Sequence, residues 1–262
     1  MRRFFSLVAA ALLLLGSCAC AEQPTPLAQI TGELPHDESA FTQGLLYYDG
    51  ALFETTGKRG HSRLRRVDPT SGEITRQIQL PQRYFGEGLA RVGNRLFWLT
   101  WQAQQAFVFD IDTFERVGTR TYEGEGWGLT YDGAHLIMSD GSATLRVLDP
   151  ADFCVVRRIA VHDGDHAIDK LNELEYIDGE IWANIWYSDR IARIDPATGA
   201  VRAWLDARNL RTALGERGAN ANVLNGIAWD GEHRRIYLTG KYWPRLFSVA
   251  APADIAQTAS PR

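Results

Sequence analysis

Glu87 lies between Gly86 and Gly88, where the backbone can bend and a ligand can come close to a carboxylate. A lone Gly-Glu-Gly is an ordinary turn. Here, however, it belongs to an outline that occurs in five stretches of the chain. The residue before the glycine that opens each first strand (Glu173 replaces that glycine once) is Gln43, Glu87, Trp127, Asn172 and Asn225 in turn. The residue five beyond the first apolar residue of each second strand is Gly57, Trp101, Gly141, Trp186 and Lys241. With first and second strands antiparallel, both sets meet at one end. That end offers one carboxylate to carry a proton, a lysine and three amides to hold a carbonyl or oxyanion, and three indoles to exclude water. An apolar box with few convergent polar groups suits a small molecule or a peptide end.

The elements that must position these residues are short strands. Phe41-Thr-Gln-Gly-Leu45, Glu125-Gly-Trp-Gly-Leu129, Leu171-Asn-Glu-Leu-Glu-Tyr176 and Leu224-Asn-Gly-Ile-Ala-Trp229 each run into an Asp-Gly turn and a second apolar strand. Third strands such as Leu64 to Asp68, Leu145 to Asp149 and Ile191 to Asp195 lead through Asp-Pro turns to fourth strands, Ile74 to Leu80 and Val155 to Val161 among them. Alternating β-branched and aromatic residues between Gly, Asp and Pro are strand-and-hairpin signals, and a recurrence of about 40 to 50 residues is the spacing of propeller blades. The fifth unit stops after its third strand, Leu246 to Val249, leaving Ala28 to Leu34 to complete it and remove the open edge. The pattern predicts an all-β fold, a five-bladed β-propeller whose ring is closed by an N-terminal strand.

The first 21 residues, two arginines before a short apolar run, have the form of a secretory signal. Ala19-Cys-Ala21 suits cleavage before Glu22, whereas Leu15-Gly-Ser-Cys18 suits lipidation of Cys18. Either end implies export, to the periplasm or beyond. Residues 22–262 are enough for a single domain with a sizeable core. The net charge of −4, with no basic cluster beyond strand arginines, gives nucleic acid no natural purchase. Cys154 reads as a small apolar strand residue, and the stretch from Ala207 to Val223 as a long inter-blade loop with a helical turn. His162-Asp-Gly-Asp-His166 invites a metal hypothesis but lacks full ligand spacing. The other histidines form no triad, and there is no Gly-x-Ser-x-Gly elbow.

These motifs resemble the plant-type glutaminyl cyclotransferases, which also occur in bacteria. Tyr-Phe-Gly-Glu-Gly-Leu89, Leu-Thr-Trp101, Gly-Glu-Gly-Trp-Gly-Leu129, Leu-Asn-Glu-Leu-Glu-Tyr176 and Thr-Gly-Lys-Tyr-Trp-Pro244 carry the resemblance, which runs from about Phe41 to Val249. Tyr242 and the His162 to Asp169 loop depart from it. The resemblance implies an acyltransferase that turns the N-terminal glutamine of peptides and proteins into pyroglutamate with release of ammonia, without a catalytic zinc; a monomer without cofactors is the expectation. It also implies the site: Glu87, Asn172 and Lys241 as catalytic residues, and Gln43, Trp101, Trp127 and Trp186 holding substrate. Phe41 and Phe85 are expected to pack rather than touch a ligand, Glu173 to hydrogen-bond between blades, and Glu125 to brace a turn. Two other readings stand beside it: a calcium-dependent propeller hydrolase or lactonase, and a non-catalytic peptide-binding propeller.

Overall fold

A computed structural model describes residues 25–254; the signal segment lies outside the described residues. The chain begins with β1 (Ile30–Pro35) and then winds five four-stranded antiparallel sheets. Blade I holds β2 (Thr42–Tyr48), β3 (Ala51–Thr56), β4 (Arg63–Val67) and β5 (Ile74–Gln79). Blade II holds β6 (Gly86–Val92), β7 (Arg95–Thr100), β8 (Gln105–Asp110) and β9 (Arg116–Thr121). Blade III holds β10 (Leu129–Tyr131), β11 (Leu136–Met138), β12 (Thr144–Leu148) and β13 (Val155–Ala160), followed by a small hairpin, β14 (His162–Asp163) with β15 (His166–Ala167). Blade IV holds β16 (Leu171–Ile177), β17 (Glu180–Ile185), β18 (Arg190–Ile194) and β19 (Val201–Asp206). After helix α1 (Arg208–Ala213) and a 3-10 turn (Gly215–Asn220), blade V holds β20 (Leu224–Asp230), β21 (Arg235–Gly240) and β22 (Arg245–Ala250). Its fourth strand is β1, which pairs with β22 from Ile30↔Val249 to Pro35↔Arg245.

Apolar clusters fill the space between neighbouring blades. Trp98, Trp182 and Trp243 are among the largest fully buried side chains. An indole buries about 150–250 Å², on the order of 4–6 kcal/mol of transfer free energy at ~25 cal/mol/Å². The turns between third and fourth strands are built by aspartate. Asp68, Asp149 and Asp195 each accept, through Oδ1, the backbone N–H two residues ahead. Asp110, which no proline follows, does the same. Cys154 departs from expectation. It is exposed, in the turn before β13, with its N–H on Asp152 Oδ1, and β13 is an outer strand that buries only Ile159.

The inner strands line the channel and are stitched across it by Glu173. Its Oε1 accepts from Leu45 N in blade I (3.2 Å) and its Oε2 from Ile227 N in blade V (2.9 Å). It thus hydrogen-bonds between blades, as the sequence suggests. Each of β2, β6, β16 and β20 has a bulge at its start, between Thr42 and Gly44, Gly86 and Leu89, Leu171 and Leu174, and Leu224 and Ile227. A bulge re-aims the side chain at the extra residue, and Gln43, Glu87, Asn172 and Asn225 sit at these bulges.

Candidate active site

At the channel mouth a cavity of about 360 Å³ opens among the bulges and the ends of the second strands. Gln43, Glu87, Trp101, Trp127, Asn172, Trp186 and Lys241 all line it. So do Phe41 and Phe85, expected only to pack, together with Lys58, Tyr187 and Asn222, which the repeat alignment does not reach. Phe41 and Phe85 stand two residues before Gln43 and Glu87, directly ahead of β2 and β6, and reach the same cavity. Lys58 and Tyr187 directly follow two ring positions, and both have left-handed backbone, φ 77° and 65°. The chain doubles back there, so consecutive side chains reach one cavity.

The remaining ring positions serve the wall. Gly57 makes room for Phe41 and Phe85, and Gly141 for the Trp127 ring, since a Cβ on either would fall within 3.0 Å of those rings. Asn225 is buried and donates to Thr42 O and, at 3.4 Å, to Gln43 Oε1. That leaves the Gln43 amide N–H groups for the cavity. The glycines beside Glu87 do a different job from the one expected of them. A Cβ on Gly86 would meet the Trp98 indole at 2.6 Å, and one on Gly88 would meet the Leu129 backbone at 2.6 Å. They let strands and blades close up rather than admit a ligand.

The aromatic wall has two parts, joined through Glu125. Trp186 meets Trp127 edge-on at 5.3 Å, Trp101 meets Phe85 at 5.6 Å, and Phe85 meets Phe41 at 6.1 Å. Glu125 fixes two of the indoles. Its Oε2 accepts from Trp101 Nε1 at 2.7 Å and Trp127 Nε1 at 2.9 Å, and its Oε1 from Gln102 Nε2 at 3.1 Å. With their N–H groups spent, these indoles present apolar faces. The Trp127 backbone N–H is also spent, on Ser139 O, as are those of Gly126 on Trp101 O and Gly128 on Ser139 Oγ. These backbone amides are therefore not free to hold an oxyanion.

Glu87 and Lys241 are both 5% exposed. Among the described residues no protein donor reaches the Glu87 carboxylate. Burial pushes its pKa well above the usual carboxylate range, opposed by Lys241 and helped by the charge of Glu125. Burial brings Lys241 down to about 8, with Lys58 pushing the same way and Glu87 opposing. Desolvation thus moves acid and base toward neutrality, the condition for moving protons near neutral pH. Lys241 Nζ also lies 4.7 Å from the Phe41 ring centroid.

Metal chemistry finds little to hold it. Among the described residues no three His, Cys, Asp or Glu side chains converge as ligands. His162 and His166 sit on the exposed β14–β15 hairpin, where Asp163 accepts from Trp204 Nε1.

A family profile described as glutamine cyclotransferase matches residues 6–251. A glutaminyl-peptide cyclotransferase of Arabidopsis thaliana is 42% identical over 226 residues, 84% of this chain and 70% of that protein. The crystal structure of Myxococcus xanthus glutaminyl cyclase superposes with a TM-score of 0.80 at 41% identity, over 85% of this chain and 95% of that one. A chain of a mitotic checkpoint complex, 11% identical with a TM-score of 0.53, shares the fold alone. The profile match spans all five blades, and two glutaminyl cyclising relatives above 40% identity are each matched over more than four-fifths of this chain: the chain belongs to the glutamine cyclotransferase family.

Proposed function

We propose that the protein converts the N-terminal glutamine of peptides and proteins into pyroglutamate, with Glu87 as the proton carrier. The observation that supports this most is a buried carboxylate with no protein donor, facing a lysine inside an indole-walled cavity. The α-amine attacks the side-chain amide carbon of its own residue, so the enzyme mainly has to select the reactive rotamer. Glu87 first takes the proton that the substrate ammonium must lose. As the ring closes, the amide oxygen gains negative charge, for which Asn172, the Gln43 amide and Lys241 are the available donors. Glu87 then returns a proton to the departing nitrogen, which leaves as ammonia, and takes the one left on the new lactam nitrogen. Trp101, Trp127 and Trp186 hold the methylenes and keep water out.

The site is completed within one chain, which supports a monomer. The arginine pair and apolar run before residue 22 support export, and an intact mass beginning at Glu22 would exclude a lipid on Cys18. A calcium-dependent hydrolase would want several carboxylates at the mouth, where Glu87 alone lines the cavity. The deciding experiment is ammonia release from a Gln-initiated dipeptide amide with chelator present. Turnover disposes of both rival readings; binding without turnover favours a peptide-binding propeller.

A further inference from the structure

Next to the site lies a second cavity of about 270 Å³, whose lining includes Lys58, His61, Arg63 and Arg65 of blade I, with Phe41 and Tyr242 on its inner side. Phe41 and Lys58 line both cavities and form the partition between them. Lys58 Nζ lies 3.9 Å from the Phe41 ring centroid, and Tyr242 packs edge-on against the other side of that ring at 5.2 Å. Arg65 is balanced by Asp37 (2.9 Å) and Glu54 (3.6 Å). Among the described residues, no carboxylate pairs with Lys58, His61 or Arg63. A protein of net charge −4 thus keeps two cations, Lys58 and Arg63, without a carboxylate partner in one hollow beside its reactive centre.

We propose that this second cavity is a carboxylate subsite, which receives an acidic group from the residue that follows the reacting glutamine. The inference rests on the cyclotransferase reading. A glutamine seated among Glu87, Trp101 and Trp127 takes up part of the first cavity, and the rest of the peptide leaves by the mouth. The Phe41–Lys58 partition is part of that mouth, and beyond it the cations wait. The opposite rim carries Tyr187, 72% exposed and tilted against Trp186 at 4.5 Å, which offers apolar surface and no charge. Unbalanced cations in a hollow attract and orient an anion. The carboxylate can come from an Asp or Glu side chain or from the C-terminus of a dipeptide.

The test compares kcat/KM for Gln-Glu-amide, Gln-Gln-amide and Gln-Lys-amide, and for Gln-Ala as acid and as amide. The acidic peptide should exceed the neutral one by about 1.5- to fivefold, the range of exposed charge pairs, and the lysine peptide should fall below it. In about 1 M salt, where the screening length is ~3 Å, the preference should vanish. Arg63→Gln and Lys58→Gln should each draw the acidic-to-neutral ratio toward one. That ratio is taken within each variant, so a general loss of activity cancels. A gain for Gln-Ala acid over its amide shows that the terminal carboxylate is read too; a gain for Gln-Glu-amide alone restricts the subsite to side chains. Calorimetric titration with pyroglutamyl-Glu-amide and pyroglutamyl-Gln-amide reads the subsite without turnover. Turnover with no acidic preference, or a preference untouched by Arg63→Gln, overturns the subsite and leaves the cyclotransferase reading standing. Tighter acidic binding in a protein that releases no ammonia overturns that reading instead.

Discussion

Glu87→Gln separates a proton carrier from a structural acid. No protein donor hydrogen-bonds the Glu87 carboxylate, so the near-isosteric amide breaks no contact, and its neutrality removes a desolvation cost. The raised pKa of Glu87 means that the folded state holds this proton more tightly than the unfolded chain. The corresponding stability is present below the unfolded value of 4.5 and is lost as pH rises through the folded value. Glutamine does not titrate, so the melting temperature of the variant should equal the native one near pH 4 and exceed it increasingly above. Turnover should fall by about two to four orders of magnitude, the range for general acid–base catalysis, or ~3–5 kcal/mol of transition-state stabilisation at ~1.4 kcal/mol per decade. Ammonia release coupled to a dehydrogenase gives kcat and KM across pH. The acidic limb should vanish, and Lys241, deprived of the charge that opposes its fall, should titrate lower. Glu173→Gln is the control. Glu173 accepts two backbone N–H groups from different blades, so the amide leaves one facing an NH₂ group. That costs about 1–3 kcal/mol, or roughly 2–12 °C for a domain of this size, with the pH profile keeping its acidic limb. A Glu87→Gln enzyme with near-native turnover, or one that melts lower than native at neutral pH, would refute the reasoning.

Glu125→Gln keeps one acceptor for the two indole N–H groups, and kcat/KM should fall about 10- to 100-fold through loosened Trp101 and Trp127. Because the Glu125 charge helps raise Glu87, the acidic limb should also move to lower pH; an unmoved limb would leave Glu125 a purely structural brace. Dialysis against a strong chelator should leave the rate unchanged, since the cavity lining offers a single carboxylate; activity restored by added zinc or calcium contradicts this. Burial alone would lower His36, but its contact with Glu54 (3.1 Å) and its bond to Trp243 O outweigh that and raise it above 6.5. Its stabilisation is therefore full below pH 6.5 and lost as pH rises through the higher folded value. His36→Gln should flatten the alkaline fall of the melting temperature, and an unchanged pH–stability curve would show that the pair contributes nothing.

The propeller was legible because strand alternation and turn chemistry agree in each blade. Gln43, Glu87, Asn172, Trp101, Trp186 and Lys241 could be aligned because each occupies the same station in a repeat. Backbone events that residue type does not announce stayed hidden. The left-handed turns that swing Lys58 and Tyr187 into the cavity are made by ordinary residues, and Asn222 lies in the insertion before β20, where no repeat register applies. Phe41 and Phe85 could have been found from their two-residue offset. The glycines flanking Glu87 misled for the opposite reason: the letter gives conformational freedom, but only the packed blades reveal that Trp98 and the neighbouring backbone use the space.

The β1–β22 pairing makes the catalyst a property of a closed circle. Thr31 bonds to Ser248 across 217 residues, and the cavity draws on all five blades, with Glu87 in the second and Lys241 in the fifth. A growing chain therefore owns the acid long before it owns the lysine, and can process no terminus until its last blade has been released and latched. Clipping the chain after Pro35, which removes β1 and leaves Phe41 in place, should silence the enzyme although β1 lines no part of the cavity. Activity should thus report on ring closure, with newly made protein expected to stay inert until β1 pairs with β22.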